Sequence, residues 1–130
     1  MSETMERALQ SVVDVHVLIE NVFMGRNGDK SLAPLLASFD KHFKMVTTQG
    51  HCIGLNELTQ LFSQNVGVRT LFTTECINLM PLREDNGYCW VQYQEKQQIN
   101  GIDSLRISAA CIRVEAEKCV WVYLHETPVV

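Results

Sequence analysis

The chain has 130 residues, of which 46% are hydrophobic and 20% charged, with a formal net charge of −4. That length and balance suit one soluble globular domain over residues 1–130, with enough apolar side chains to bury a sizeable core. No Lys/Arg cluster exceeds a pair, which argues against nucleic acid or an anionic membrane as a partner, because phosphate recognition needs clustered cations.

Helices come first. From residue 3 to about 24 there is neither Gly nor Pro, and Met5, Leu9, Val12, His16, Ile19 and Phe23 recur at three- and four-residue spacing. That is the stripe of a long amphipathic helix, with Ser2 placed to cap its start and Gly25 to end it. A loop, RNGDKS, leads to a short helix with Ser31 as its candidate cap, Pro34 in its first turn, and Leu32, Leu35, Leu36 and Phe39 facing inward. HFKMVTT then alternates as a strand does. QGHCIG turns the chain into a third helix, LNELTQLFSQNV, with Leu55, Leu58, Leu61 and Phe62 on one face and Gly67 at its end.

From Thr70 onward the chain reads as strands, over about 71–83, 88–99, 104–115 and 119–127. Asn100-Gly101 is the most specific turn signal, since both central residues of a type I′ hairpin need positive φ. It predicts Ile99 opposite Ile102, Tyr93 opposite Ser108 and Glu95 opposite Arg106, and the opposite charges suit that register. EDNG permits a two- or four-residue loop, and either choice puts Asn78 and Met80 on the face of Tyr93. EAEK sets Ser108 opposite His125. One row then crosses four strands: Asn78, Tyr93, Ser108, His125. The same face carries Met80, Leu82, Trp121 and Tyr123 toward one end and Glu95, Arg106 and Thr127 toward the other. Apolar walls with a few convergent polar groups are what a small-molecule pocket requires. The opposite face, with Trp90, Ile107, Val122, Leu124 and Glu126, is too apolar for free solvent and is expected to form a homodimer interface.

Other classes find little support. MSETMERALQ lacks the basic region and apolar core of a secretory leader, and no segment approaches the ~18 apolar residues of a membrane span. Five scattered cysteines without a CxxC read as thiols in a reducing cytoplasm, not as a zinc framework or disulfide scaffold. His16, His125, Glu126 and Cys76 show no metal-ligand spacing, so no metal is expected, and no cofactor motif is present. Ser108 lies mid-strand without the GxSxG elbow of a triad nucleophile.

The element order, with FKMVTTQG as a short strand, LNELTQLF as the third helix and long strands ending in LHET, resembles the nuclear transport factor 2-like superfamily. The nearest part of it is the branch of small bacterial proteins around ketosteroid isomerases and polyketide-cyclase-like domains. The resemblance implies an α+β fold: a cone-like curved antiparallel sheet wrapped around the long N-terminal helix, with two further short helices. It also implies an internal pocket and dimerisation through the outer sheet face. The isomerase branch uses a carboxylate base with a Tyr/protonated-carboxyl oxyanion hole, and this chain matches no such constellation residue by residue. Asp40 and Glu95 are the nearest acids, and Glu95 is expected to pair with Arg106.

Two functional readings lead, ahead of a third in which the protein is a partner-binding module using its outer sheet face. In the first, the protein binds a small, partly apolar molecule. Asn78, Tyr93, Ser108, Arg106 and His125 then supply polar contacts, Trp121 and Tyr123 aromatic ones, and His16 reaches in from the first helix. In the second, it is an isomerase-, cyclase- or dehydratase-type enzyme acting on an enolisable molecule, with His125 or Glu95 as base and Tyr93 polarising a carbonyl. The blander alternatives are polar groups satisfying one another beside the core, a cross-strand ion pair of ~0.2–1 kcal/mol, and a hydrogen-bonded core histidine.

Overall fold

Helix α1 runs Glu3–Met24 because both its ends are specified. The Ser2 side chain accepts a hydrogen bond from the Met5 N–H at 3.0 Å, and Gly25 takes φ 72° just past the last turn, where a side chain would be strained. This is a computed structural model, and it describes residues 1–69 and 71–130. The further elements are α2 (Leu32–Leu36), β1 (Phe39–Val46), β2 (Cys52–Gly54), α3 (Leu55–Ser63), β3 (Phe72–Asp85), β4 (Tyr88–Ile99), β5 (Ile102–Val114) and β6 (Cys119–Pro128). QGHCIG, expected only as a turn, contributes the three-residue β2, and α3 stops before the residues expected to complete it.

The strands form one curved sheet, not closed into a barrel, in the order β2-β1-β6-β5-β4-β3. Every pairing is antiparallel except β1 with β6. Helix α1 packs against β3, β4, β5 and β6, burying Met5, Ala8, Val12, Val15 and Phe23. This is the cone that the resemblance implies, with a mixed sheet where an antiparallel one was expected, because β6 lies parallel to β1. Two Asn-Gly turns bring both residues to positive φ, Asn86-Gly87 at 52° and 83° and Asn100-Gly101 at the same angles. The register between β4 and β5 accordingly runs without a shift from Ile99–Ile102 to Tyr88–Arg113.

Of the sheet's register shifts, one in β3 and one in β6 decide which of the expected site residues reach the interior. Between Ile77–Gln94 and Met80–Gln92, β3 advances three residues while β4 advances two. Asn78 absorbs the extra residue at φ 54°, a left-handed conformation that asparagine tolerates better than most residues. Its side chain donates to Gln94 Oε1 on the outer face at 3.0 Å. Leu79 therefore packs on the core and Met80 is half exposed; Leu82, the extra residue at a second shift between Pro81–Val91 and Arg83–Trp90, is half exposed as well. In β6, Ile112–Trp121 is followed by Cys111–Tyr123, so Val122 is the extra residue. Up to Trp121 the expected register is observed, and Trp121 is 1% exposed inside. Beyond the bulge the faces exchange. Glu126, not His125, lies opposite Ser108; Leu124 and Glu126 turn inward, and Tyr123, His125 and Thr127 turn out.

Candidate ligand pocket

A cavity of about 310 Å³ opens between α1, α3 and the concave face of the sheet. Its apolar wall includes Phe39, Met45, Ile53, Leu58, Phe62 and Leu124, and α1 contributes Val15, His16, Ile19 and Phe23. The polar end is made by Glu95 and Gln97 of β4, Arg106 of β5, Glu126 of β6 and Arg69 from the segment after α3. That segment is held on the end of α1 by hydrogen bonds from Gly67 N–H to Val22 O and from Arg69 N–H to Phe23 O, both 2.9 Å. Gly25 and Gly67 touch there: a Cβ added at Gly25 would lie 2.9 Å from Gly67 Cα.

His16 and Glu95 form a buried ion pair, with Nε2 3.3 Å from Oε1 and side chains 7% and 3% exposed. His16 Nδ1 lies 2.7 Å from Val12 O. A carbonyl only accepts, so Nδ1 carries a proton; Nε2 faces a carboxylate, so it carries one too, and the ring is an imidazolium. Burial opposes that charge, but hydrogen bonding with Cys76 and Glu95 and the Glu95 charge outweigh it and raise the His16 pKa. Glu95 shows the mirror image. Burial pushes its pKa up, but His16 and hydrogen bonds from Gln97 and Thr74 bring it below the ordinary carboxylate value. Thr74 Oγ1 and Gln97 Nε2 donate to the same oxygen at 2.7 and 2.8 Å.

Arg106 donates to Glu126 Oε1 at 3.2 Å and to Gln97 Oε1 at 3.1 Å. Gln97 thus joins the two carboxylate–cation pairs. Burial, with the Glu95 charge adding to it, raises the Glu126 carboxyl above its usual value despite Arg106. Arg69 holds its guanidinium 4.4 Å from the Phe23 ring centre and 5.2 Å from that of Phe72.

The expected site residues divide into three groups. His16, Glu95, Arg106 and Trp121 line the cavity. Tyr93 and Ser108 face each other across β4 and β5, are 1% exposed, and lie behind the wall instead of on it. Neither hydroxyl has a hydrogen-bond partner among the described residues. Asn78, Tyr123 and His125 are corrected to the outer side by the two bulges. There Tyr123 OH lies 3.4 Å from His125 Nδ1, and its ring neighbours Trp90. The Glu95–Arg106 ion pair is likewise corrected: the two are register partners, but α1 supplies Glu95 with His16 and leaves Arg106 to Glu126. Asp40 pairs with Arg113 at 3.0 Å, away from the cavity.

Gln97, Glu126 and Arg69 were missed. Gln97 was readable, since it lies two residues from Glu95 on one strand. Glu126 was hidden by the bulge, and Arg69 sits in a segment with no periodicity. Among the described residues no cluster of three metal-ligating side chains forms, and no helix is long and apolar enough to cross a membrane.

A curved sheet wrapped around a long helix, with a cavity between them, defines a class of cone-shaped proteins, and solved structures identify which. The chain is similar to a nuclear transport factor 2-like protein of unknown function from Pseudomonas aeruginosa, with 25% identity and a TM-score of 0.88 over 93% of this chain and 97% of the other. In fold alone it is similar to a proposed scytalone dehydratase from Novosphingobium aromaticivorans (10% identity, TM-score 0.76, 100% and 89% covered). The same holds for the association domain of C. elegans CaMKII (16%, 0.71, 97% and 99%). No family model matches the sequence, and neither does any curated protein. By its fold, the chain belongs to the nuclear transport factor 2-like superfamily.

Proposed function

We propose that the protein binds a small, partly apolar molecule inside the cone. The supporting observation is the cavity of about 310 Å³, apolar over most of its wall and polar where Glu95, Gln97, Arg106, Glu126 and Arg69 converge. The ligand's apolar body lies against Phe39, Met45 and Phe62, and its polar end meets Arg106 and Gln97. Ligand-observed NMR with a set of apolar-bodied acids, alcohols and ketones tests this, together with Ile19→Trp, which fills the cavity. Binders lost in the filled variant support the reading. A set with no binder, or binders indifferent to the filling, overturns it.

A second reading, acid–base enzymology of the dehydratase or isomerase kind, draws on one observation: two cavity carboxylates are pushed apart, Glu95 down and Glu126 up. Glu126 then serves as proton donor and the Glu95–His16 pair orients the substrate; His125, on the outer face, has no part. Turnover of enolisable or β-hydroxy carbonyl compounds that is unchanged by Glu126→Gln refutes it.

The same proposal includes a homodimer in a reducing cytoplasm. Trp90, Ile107, Met80 and Leu82 are each 37–49% exposed on the outer face, a neighbour is an association domain, and the cysteines are free.

A further inference from the structure

We propose that the cavity takes a carboxylate-bearing ligand, that this carboxylate replaces Glu126 on the Arg106 guanidinium, and that Glu126 takes up one proton from solvent in the exchange. The inference rests on the pocket reading above and names its ligand class.

Arg106 is bound loosely for a partly buried guanidinium. It makes single contacts of 3.2 and 3.1 Å to two different side chains, whereas charge-assisted N–H···O⁻ bonds run at about 2.7–2.9 Å and the guanidinium fork suits one carboxylate held by two parallel bonds. An entering carboxylate can make that bidentate contact. Arg69 supplies the second attraction. It lines the same cavity, its charge rests over Phe23 and Phe72, and no described residue accepts a hydrogen bond from its side chain. Burial and the nearby Arg106 charge both lower its pKa, as expected of a cation waiting for an anion. The charges facing the cavity leave a surplus: His16 is matched by Glu95 and Arg106 by Glu126, while Arg69 has no carboxylate partner among the described residues.

The proton follows from what surrounds Glu126. Its side chain is 12% exposed. Arg106 from β5 and His16 from α1 favour its charge, and Glu95 from β4 opposes it. The Tyr93 phenol lies close enough to feel the Glu126 charge, and Arg69 faces the same cavity. Once Arg106 turns to the ligand, Glu126 loses the Arg106 ion pair and gains a second neighbouring carboxylate. Like charges sharing a buried site cannot both stay ionised without a counter-ion, and one takes a proton.

Isothermal titration calorimetry of the full chain with 2-naphthoate and its neutral counterpart 2-naphthamide, between pH 5.5 and 8.5, tests this. Two buffers of different ionisation enthalpy measure the protons exchanged. Naphthoate, a carboxylic acid ionised throughout this range, is expected to bind at least tenfold more tightly than the amide at the acid end. Its affinity should weaken by up to tenfold per pH unit as pH rises, with net uptake approaching one proton. Glu126→Gln should bind naphthoate without proton uptake, and the wild-type titration alone carries the test if that variant misfolds. An amide that binds as well as the acid overturns the anion site and leaves the pocket reading standing. Naphthoate binding without proton uptake at every pH overturns the exchange. Failure of both probes to bind overturns the pocket reading, and this inference with it.

Discussion

His16→Leu removes the imidazolium that faces Glu95 at 3.3 Å while retaining apolar bulk beside a carboxylate whose side chain is 3% exposed. Stripping one partner from a buried pair costs about 3–5 kcal/mol. Here the lower end applies, because Thr74 and Gln97 still donate to Glu95. With 130 residues and roughly 2.1 cal/mol/K of unfolding entropy per residue, each kcal/mol moves the melting point by about 3–4 °C, so a loss near 10 °C is expected. Glu95→Gln and the double variant complete a cycle in guanidinium denaturation, in which the double variant should be about 2 kcal/mol more stable than the sum of the single losses. Additivity within about 0.5 kcal/mol refutes the ion pair. The pH dependence gives an independent sign. The folded pKa of His16 is raised above 6.5, so its contribution is full below 6.5 and is lost as pH rises toward the folded value, by about 1.4 kcal/mol per unit. Glu95 is held below 4.5, so its contribution is full above 4.5 and is lost as pH falls toward its folded value. In Glu95→Gln the buried ring lacks its carboxylate and turns neutral, so that variant loses stability below 6.5 instead. The difference between wild-type and variant stability should therefore widen on acidification from pH 7.5 to 5.5; a constant difference refutes the assignment.

Asn78→Gly should change stability little, whereas Asn78→Val should lose about 1–2 kcal/mol, because only the valine resists φ 54°; equal losses in urea denaturation count against the bulge. Trp121 Nε1–H donates to Ser11 Oγ at 2.9 Å inside the core, so Trp121→Phe orphans a buried hydroxyl and should cost about 1–3 kcal/mol in the same assay. Trp90→Phe leaves Trp121 as the single indole, whose emission should be blue-shifted and should respond to cavity ligands; a red, ligand-indifferent spectrum contradicts its burial on the cavity wall. Trp90→Glu with Ile107→Glu should give a monomer by light scattering where the wild type is a dimer, and a dimer that survives both changes lies elsewhere on the surface.

The fold was legible because its signals are local. Ser2 and Gly25 bound α1, and Asn100-Gly101 fixes β4 against β5 over their length. The facing of β3 and β6 was not legible past a certain residue, and the reason is parity. A strand has period two, so a hairpin register predicts facing only until one residue is inserted. Asn78 at least carries a hint, being a residue that accepts positive φ. Val122 carries none, since a β-branched residue suits a regular strand as well as a bulged one. The partners of Glu95 and Arg106 were hidden for another reason: strand registers say nothing of what a helix lays over them, and His16 arrives from α1.

The bulge at Val122 therefore has a chemical consequence as well as a geometric one. A regular β6 would present His125 and Tyr123 to the cavity and turn Glu126 away, leaving Arg106 beside Arg69 without its carboxylate. The bulged strand presents Leu124 and Glu126 instead. A carboxylate then sits beside Arg106 at 3.2 Å, deep enough that burial raises its pKa. On the exchange proposed above, Glu126 matches Arg106 until a better-fitting anion arrives, because protonation offers it a neutral alternative. A fixed partner such as Glu95, held by three donors, has no comparable escape. The pair that can exchange is the one the bulge creates, and the pair that cannot is the one α1 locks in place.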